Sequence, residues 1–187
     1  EMLFTHFGVT GPIILQLSRR ASELLATGAR DLELRLNLKP ALTHEKLRER
    51  VERDFAKYER KQLRNAMIDL LPKRLIEPVL NAAQLPSERF AQQISSKERE
   101  RLVQTLQALP LTVTGTRPIA EAIVTAGGVA TREIDPRTMA SKIVKHLYFV
   151  GELVDVDAYT GGYNLQAAFS MGHAAGFYSV WDLEGDK

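Results

Sequence analysis

The stretch from Lys145 to Gly176, KHLYFVGELVDVDAYTGGYNLQAAFSMGHAAG, constrains this chain more than any other. Leu147, Tyr148, Phe149 and Val150 read as a short apolar strand that stops at Gly151-Glu152. An acidic, glycine-rich loop follows. A helix is then expected to open near Asn164, with Leu165, Ala168, Phe169 and Gly172 along one face. A strand ending at Gly plus a carboxylate, shortly before a helix start, suits a nucleotide-like ligand. The carboxylate accepts hydrogen bonds from ribose or ribityl hydroxyls. The helix start presents N–H groups and the positive end of its dipole to an electron-rich group.

Composition narrows the partners. The 187 residues are 44% hydrophobic and 26% charged, the balance of a globular protein long enough to bury a core. No apolar run approaches the ~18 residues of a membrane helix, and no signal-peptide pattern opens the chain. Without cysteine there is no disulfide, thiol nucleophile or Cys-bound zinc, and a cytoplasmic location is expected. A net charge of +2 argues against nucleic acid as the main partner, and no membrane partner is expected. His6, His44, His146 and His173 lack ligand-like spacing, so no metal site is expected. The chain opens on Glu1 rather than Met, inside what reads as a strand, so a longer parent protein is expected.

Taken in order, Met2 to Phe7 reads as a β segment, broken by Gly8 and Gly11. Pro12 suits a helix first turn. Ile13, Ile14, Leu17, Ala21, Leu24 and Leu25 then recur at helical spacing, predicting a helix over 12–26 with one buried face, ended by Gly28. Leu32, Leu34, Leu36 and Leu38 alternate with polar residues as in a half-buried strand closed by Pro40. From Thr43 to about Leu109 the pattern is helical. Leu47, Val51, Phe55 and Tyr58 mark a buried face, and between His44 and Arg64 eight Lys/Arg mix with five Asp/Glu, as on a solvated surface. Helices are expected at Asn65–Leu71, at Lys73–Ala83 with a disturbance at Pro78, and at Glu88–Gln93. A capping box, Ser95-x-x-Glu98, starts another. Leu111–Thr114 and Ala122–Thr125 read as short strands, the second ending at Gly127-Gly128.

Four blocks, FTHFGVTGP (4–12), AIVTAGGV (122–129), IDPRTMASK (134–142) and LYFVGELVDVDAYTGGYNLQAAFSMGHAAG (147–176), resemble the BaiN/RdsA-type flavoproteins, NAD(P)/FAD-dependent oxidoreductases. The resemblance implies an α+β chain: an inserted β-barrel-like plus helical domain over 1–120, then the C-terminal segment of a Rossmann-like FAD-binding domain over 121–187. Within the insert, the β part is 1–42 and 110–120 and the helical module 43–109. The family's N-terminal strand–Gly-x-Gly-x-x-Gly–helix, which holds the FAD pyrophosphate, has no counterpart here, since no Gly-x-Gly occurs. The remaining N-terminal part of the same protein is therefore an expected partner, beside a small-molecule substrate.

The resemblance also assigns roles. Gly151-Glu152 is similar to a second FAD fingerprint whose acidic residue bonds the ribityl chain; taken alone, the dipeptide reads as an ordinary strand end with a solvated Glu, and its place in the block favours the fingerprint. Gly161, Gly162, Asn164, Leu165 and Gln166 are similar to the loop and helix start facing the isoalloxazine ring. There, helix N–H groups would stabilise charge at its N1/C2 edge, and an Asn164 N-cap is compatible with that. Asp155 and Asp157 are candidates for cofactor hydroxyls or solvated carboxylates. Gly127 and Gly128 serve either close approach to flavin or substrate, or a tight strand exit. His6 is a candidate proton donor or a structural histidine, and Arg117-Pro118 an anion clamp or a turn. The function implied is hydride transfer from NAD(P)H through FAD to an unsaturated, enone-like substrate. The alternative is a structural or interaction module with no independent cofactor binding.

Overall fold

The computed structural model describes residues 1–185, with side chains to residue 181. Helices and strands are mixed, as expected of an α+β chain, and form two compact units. One is Asp31–Thr114; the other joins Glu1–Arg30 to the chain from Gly115 onward. Among the described residues the sheets are two antiparallel pairs, with no closed barrel and no parallel ladder.

The helical unit is built on strand β3 (Leu32–Leu36) paired with β4 (Leu109–Val113), Leu34 opposite Leu111. Between them run α2 (His44–Lys57), α3 (Leu63–Ala66), α4 (Lys73–Ala82) and α5 (Ser96–Gln107). Their apolar faces close over Leu47, Val51, Leu63, Met67, Leu80, Leu102 and Leu106, all fully buried. The capping box forms as read: Ser95 Oγ accepts from the Glu98 N–H, and Glu98 returns to the Ser95 N–H at 2.8 Å. Arg89 and Ser95 hold the Glu98 carboxyl down at about 2. Two expected helices are shorter. α3 covers four residues in place of 65–71, and the expected helix over 88–93 reduces to a 3-10 turn at Ala91–Gln93. The cause is local. Carbonyls of Ser87 and Arg89 accept the Arg64 and Leu63 N–H groups at 3.2 and 2.8 Å, so this segment turns at 87–89 to serve the start of α3 and does not run as a helix. Pro78 causes no break, because α4 runs through it on an exposed turn where water can serve the unpaired Arg74 carbonyl.

In the other unit, β1 (Leu3–Thr5) and β2 (Gly8–Thr10) form a hairpin where a single β segment was expected. Helix α1 (Pro12–Ala26) begins at Pro12 as read, but buries no residue fully: Ile13 and Leu17 face water. The expected strands at 122–125 and 147–150 are absent. Residues 122–125 join no ladder among the described residues, and around Tyr148 the backbone makes one antiparallel bridge, to Ala140. A strand needs neighbours along its length, and here the extended segments near 134, 140 and 148 each meet for a residue or two only. The core is correspondingly small: Ile134, Met139, Val154 and Ala175, with Phe149, Val150 and Met171 packed on it.

Candidate functional site

The site is assembled where the segment after Val150 meets the long helix α6 (Tyr163–Gly185). Gly151 takes φ +65° and starts a 3-10 turn, Gly151–Leu153, in place of a plain strand end. A Cβ on Gly151 would touch the Ala168 Cβ at 3.9 Å, so this turn lies against the second turn of α6. Glu152, exposed, follows directly. The segment that carries the expected carboxylate thus lies against the early part of α6.

The helix start is fixed differently from the expectation. Asn164 does not cap α6. Its side chain clasps Ala158 in both directions, accepting from the Ala158 N–H at 2.8 Å and donating to the Ala158 carbonyl at 2.9 Å. This closes the loop 158–164. The first helical bond runs from the Gln166 N–H to the Gly162 carbonyl at 2.9 Å, so Gly162 occupies the position that a cap would. Gly162 has φ +89° with open space where a Cβ would stand, while a Cβ on Gly161 (φ +136°) would crowd the Tyr163 ring. Leu165 and Gln166 are exposed beside them. Asp157 is structural: it accepts from Arg19 of α1 at 2.6 Å and tethers the loop. Glu23 first, then Asp157, favours the Arg19 cation.

Gly128 makes its close approach to the chain itself. A Cβ there would lie 2.6 Å from the Leu153 carbonyl oxygen, because Val129 pairs in parallel with Val154 through bonds of 2.8 and 3.0 Å. Gly127 (φ +101°) keeps an open Cβ side. His6 sits in the turn of the hairpin, exposed and edge-on to Phe7. The Arg117 guanidinium is bidentate to Glu121 at 2.9 and 2.6 Å and lies over the Phe7 ring.

The face of α6 read from sequence is in large part exposed. Leu165 is 65% and Phe169 71% exposed, whereas Met171, Ala174 and Ala175 pack on the core. Sequence reading missed three structural supports, namely the Ala168 contact, the Asn164–Ala158 clasp and the Arg19–Asp157 tie. Of these only the Asn beside a glycine pair carried a local signal.

A flavin fits the chemistry of this group. An exposed carboxylate and a glycine-led helix start supply an acceptor for hydroxyls and donors for an electron-rich edge. Residues 1–124 match the family described as HI0933-like protein barrel and H2TH domain. The chain belongs to the HI0933-like family. This HI0933-like chain is 33% identical over 176 residues to the ribosomal RNA dihydrouridine synthase of Escherichia coli (strain K12), covering 93% of itself and 41% of that protein. It is 30% identical over 176 residues to the 3-dehydro-bile acid delta(4,6)-reductase of Clostridium scindens, with 94% and 43% covered. It is also 33% identical over 174 residues to the ribosomal RNA dihydrouridine synthase of Haemophilus influenzae, with 93% and 41% covered. The chain therefore spans well under half the length of these curated relatives.

Proposed function

We propose that the protein is a cytoplasmic FAD-dependent oxidoreductase that saturates a carbon–carbon double bond conjugated to a carbonyl. The observation that supports this reading is that the turn at Gly151, which leads directly into Glu152, lies against Ala168 on the second turn of α6. Glu152 would accept from ribityl hydroxyls. Gly161, Gly162, Asn164, Leu165 and Gln166 would form the ring-facing edge, with the Leu165 and Gln166 side chains flanking it. Gly128 supports that edge by locking Val129 to Val154, and Gly127 leaves backbone open for approach. Bound there, FAD supplies hydride transfer from NAD(P)H to the electron-poor carbon of the double bond. His6 is the candidate proton donor to the neighbouring carbon.

The relatives' names fit one chemistry. Dihydrouridine is uridine saturated at a double bond conjugated to a ring carbonyl, and a 3-dehydro-bile acid delta(4,6)-reductase acts on double bonds conjugated to a ketone. The match of 1–124 to a barrel and H2TH domain supports reading 1–120 as an insert and 121–187 as the returning segment of a Rossmann-like flavin domain. The relatives' greater length supports a further, pyrophosphate-binding part of the same protein, and the exposed Leu165 and Phe169 are the surface on α6 that it would cover.

The purified intact protein is expected to carry or take up flavin, with a flavin absorbance spectrum, and to oxidise NAD(P)H in the presence of a conjugated enone or a uridine-containing RNA. A colourless preparation that neither binds added FAD nor oxidises NAD(P)H would overturn the reading.

A further inference from the structure

We propose that the helical unit carries an RNA-docking surface where the end of α2, the start of α3 and Phe90 meet. An open notch of about 500 Å³ lies there, lined by Arg60, Lys61, Gln62, Asn65, Ile68 and Phe90. No acidic side chain lines it. The mixed charges of 44–64 separate in space. Arg50 is held by Asp54 at 2.7 Å and Lys57 by Asp69 at 2.8 Å, while the cations at the notch are less engaged. Arg60 is almost fully exposed, 3.5 Å from Glu59, itself more than half exposed, a pair that water and salt weaken. The Lys61 ammonium rests over the Tyr58 ring, 4.6 Å from its centre. Beside the notch, Gln62 Oε1 accepts from two nitrogens of Arg64 at 3.0 and 2.7 Å, which fixes that guanidinium plane.

Apolar surface sits among these cations. Phe90 is 41% and Ile68 58% exposed, beside a well-filled core. Phe90 is displayed on a rigid mount: its backbone bridges Gln62 antiparallel, and the next residue, Ala91, donates to the Lys61 carbonyl at 3.0 Å. A fixed aromatic ring ringed by cations and side-chain amides is the surface that single-stranded or looped RNA requires. A base stacks on the ring, phosphates lie along Arg60 and Lys61, and Gln62 and Asn65 reach base or ribose edges. The net charge of +2 averages this patch away, which is why composition alone pointed elsewhere. The choice of RNA over another polyanion rests on the reductase reading, with uridine in RNA as its substrate class.

The test is fluorescence anisotropy of a labelled hairpin RNA with a uridine-rich single-stranded loop, titrated with the intact protein at several salt concentrations. The double substitution R60Q/K61Q is expected to weaken binding about tenfold and to flatten the salt dependence of log K by roughly 1.4, about 0.7 for each lost phosphate contact. F90A is expected to weaken it at least about fivefold through lost stacking. The charge-matched double substitution K73Q/K97Q, on α4 and α5, is expected to cause no comparable loss. Unchanged binding in R60Q/K61Q and F90A, with circular dichroism showing both folded, overturns the surface. So does equal binding of duplex DNA of the same length, or a protein that reduces a small enone yet binds no RNA. That last outcome leaves the reductase reading standing. Specific RNA binding by a protein that takes up no flavin supports the surface and removes the reductase reading instead.

Discussion

At the scale of single residues, Gly128 and His44 show how narrowly each unit is held. Gly128 is where the backbone of residues 153–155 passes closest, so Gly128→Ala drives a Cβ into the Leu153 carbonyl at a φ of +144°. Strain of this kind costs about 1–3 kcal/mol, and the small core around Val154 has little to offset it. Chemical denaturation of the variant is expected to show that loss; an unchanged midpoint would contradict the pairing of Val129 with Val154. His44 ties α2 to α5, with Nδ1 2.9 Å from the Gln107 side-chain oxygen and Nε2 2.8 Å from Glu100. The hydrogen bond with Gln107 is the main cause that raises the imidazole pKa above its ordinary value; burial opposes it, and Glu100 adds to the rise. The sign follows. This stabilisation is fully present below the unfolded value of about 6.5 and is lost as pH rises through the higher folded value. Melting of the helical unit is therefore expected to fall modestly from pH 6 to above neutrality, and His44→Gln to flatten that slope. A slope of the same size in His44→Gln would remove the histidine from the account.

At the scale of elements, the boundary signals were the legible part. Pro12 started α1, and Ser95 with Glu98 started α5, because caps act through the few residues they touch. The period-two run of Leu32, Leu34 and Leu36 became β3, since β4 supplied a partner along its full length. LYFV at 147–150 had the same kind of residues and became a single bridge, because pairing is a property of two segments and only one is written locally. Periodicity misled most in α6. The helix is apolar around most of its circumference, so no stripe in the sequence says which side packs. Denaturation can separate the two sides. Phe169→Ala, at a 71% exposed position, is expected to change stability of the 187-residue chain by no more than about 0.5 kcal/mol. Ala175→Leu, on the packed side, is expected to cost about 1–3 kcal/mol by overfilling the core. The reverse order would show that the helix packs by the face read from sequence.

At the scale of the whole molecule, the two units divide the work proposed here. In that proposal the unit holding Val154 and α6 would offer the flavin-facing edge. The helical unit, with its dense core, gives Phe90 and Lys61 a firm base for recognition. Of the candidate site, the residue types at Glu152 and Gly161–Gln166 were readable from sequence, because a carboxylate and a glycine pair before a helix have a chemical meaning wherever they fold. Their mutual placement was not readable. It depends on the Gly151–Ala168 contact and the Asn164–Ala158 clasp, which are packing facts without a sequence period. The measurement that bears most directly on this account is the affinity of the intact protein for FAD, read by quenching of flavin fluorescence, in wild type, Glu152→Gln and Gly162→Val. A shared flavin edge predicts that loss of the charged acceptor weakens FAD by about tenfold or more, and that a side chain at Gly162 weakens it further. Equal affinity in all three proteins would contradict it.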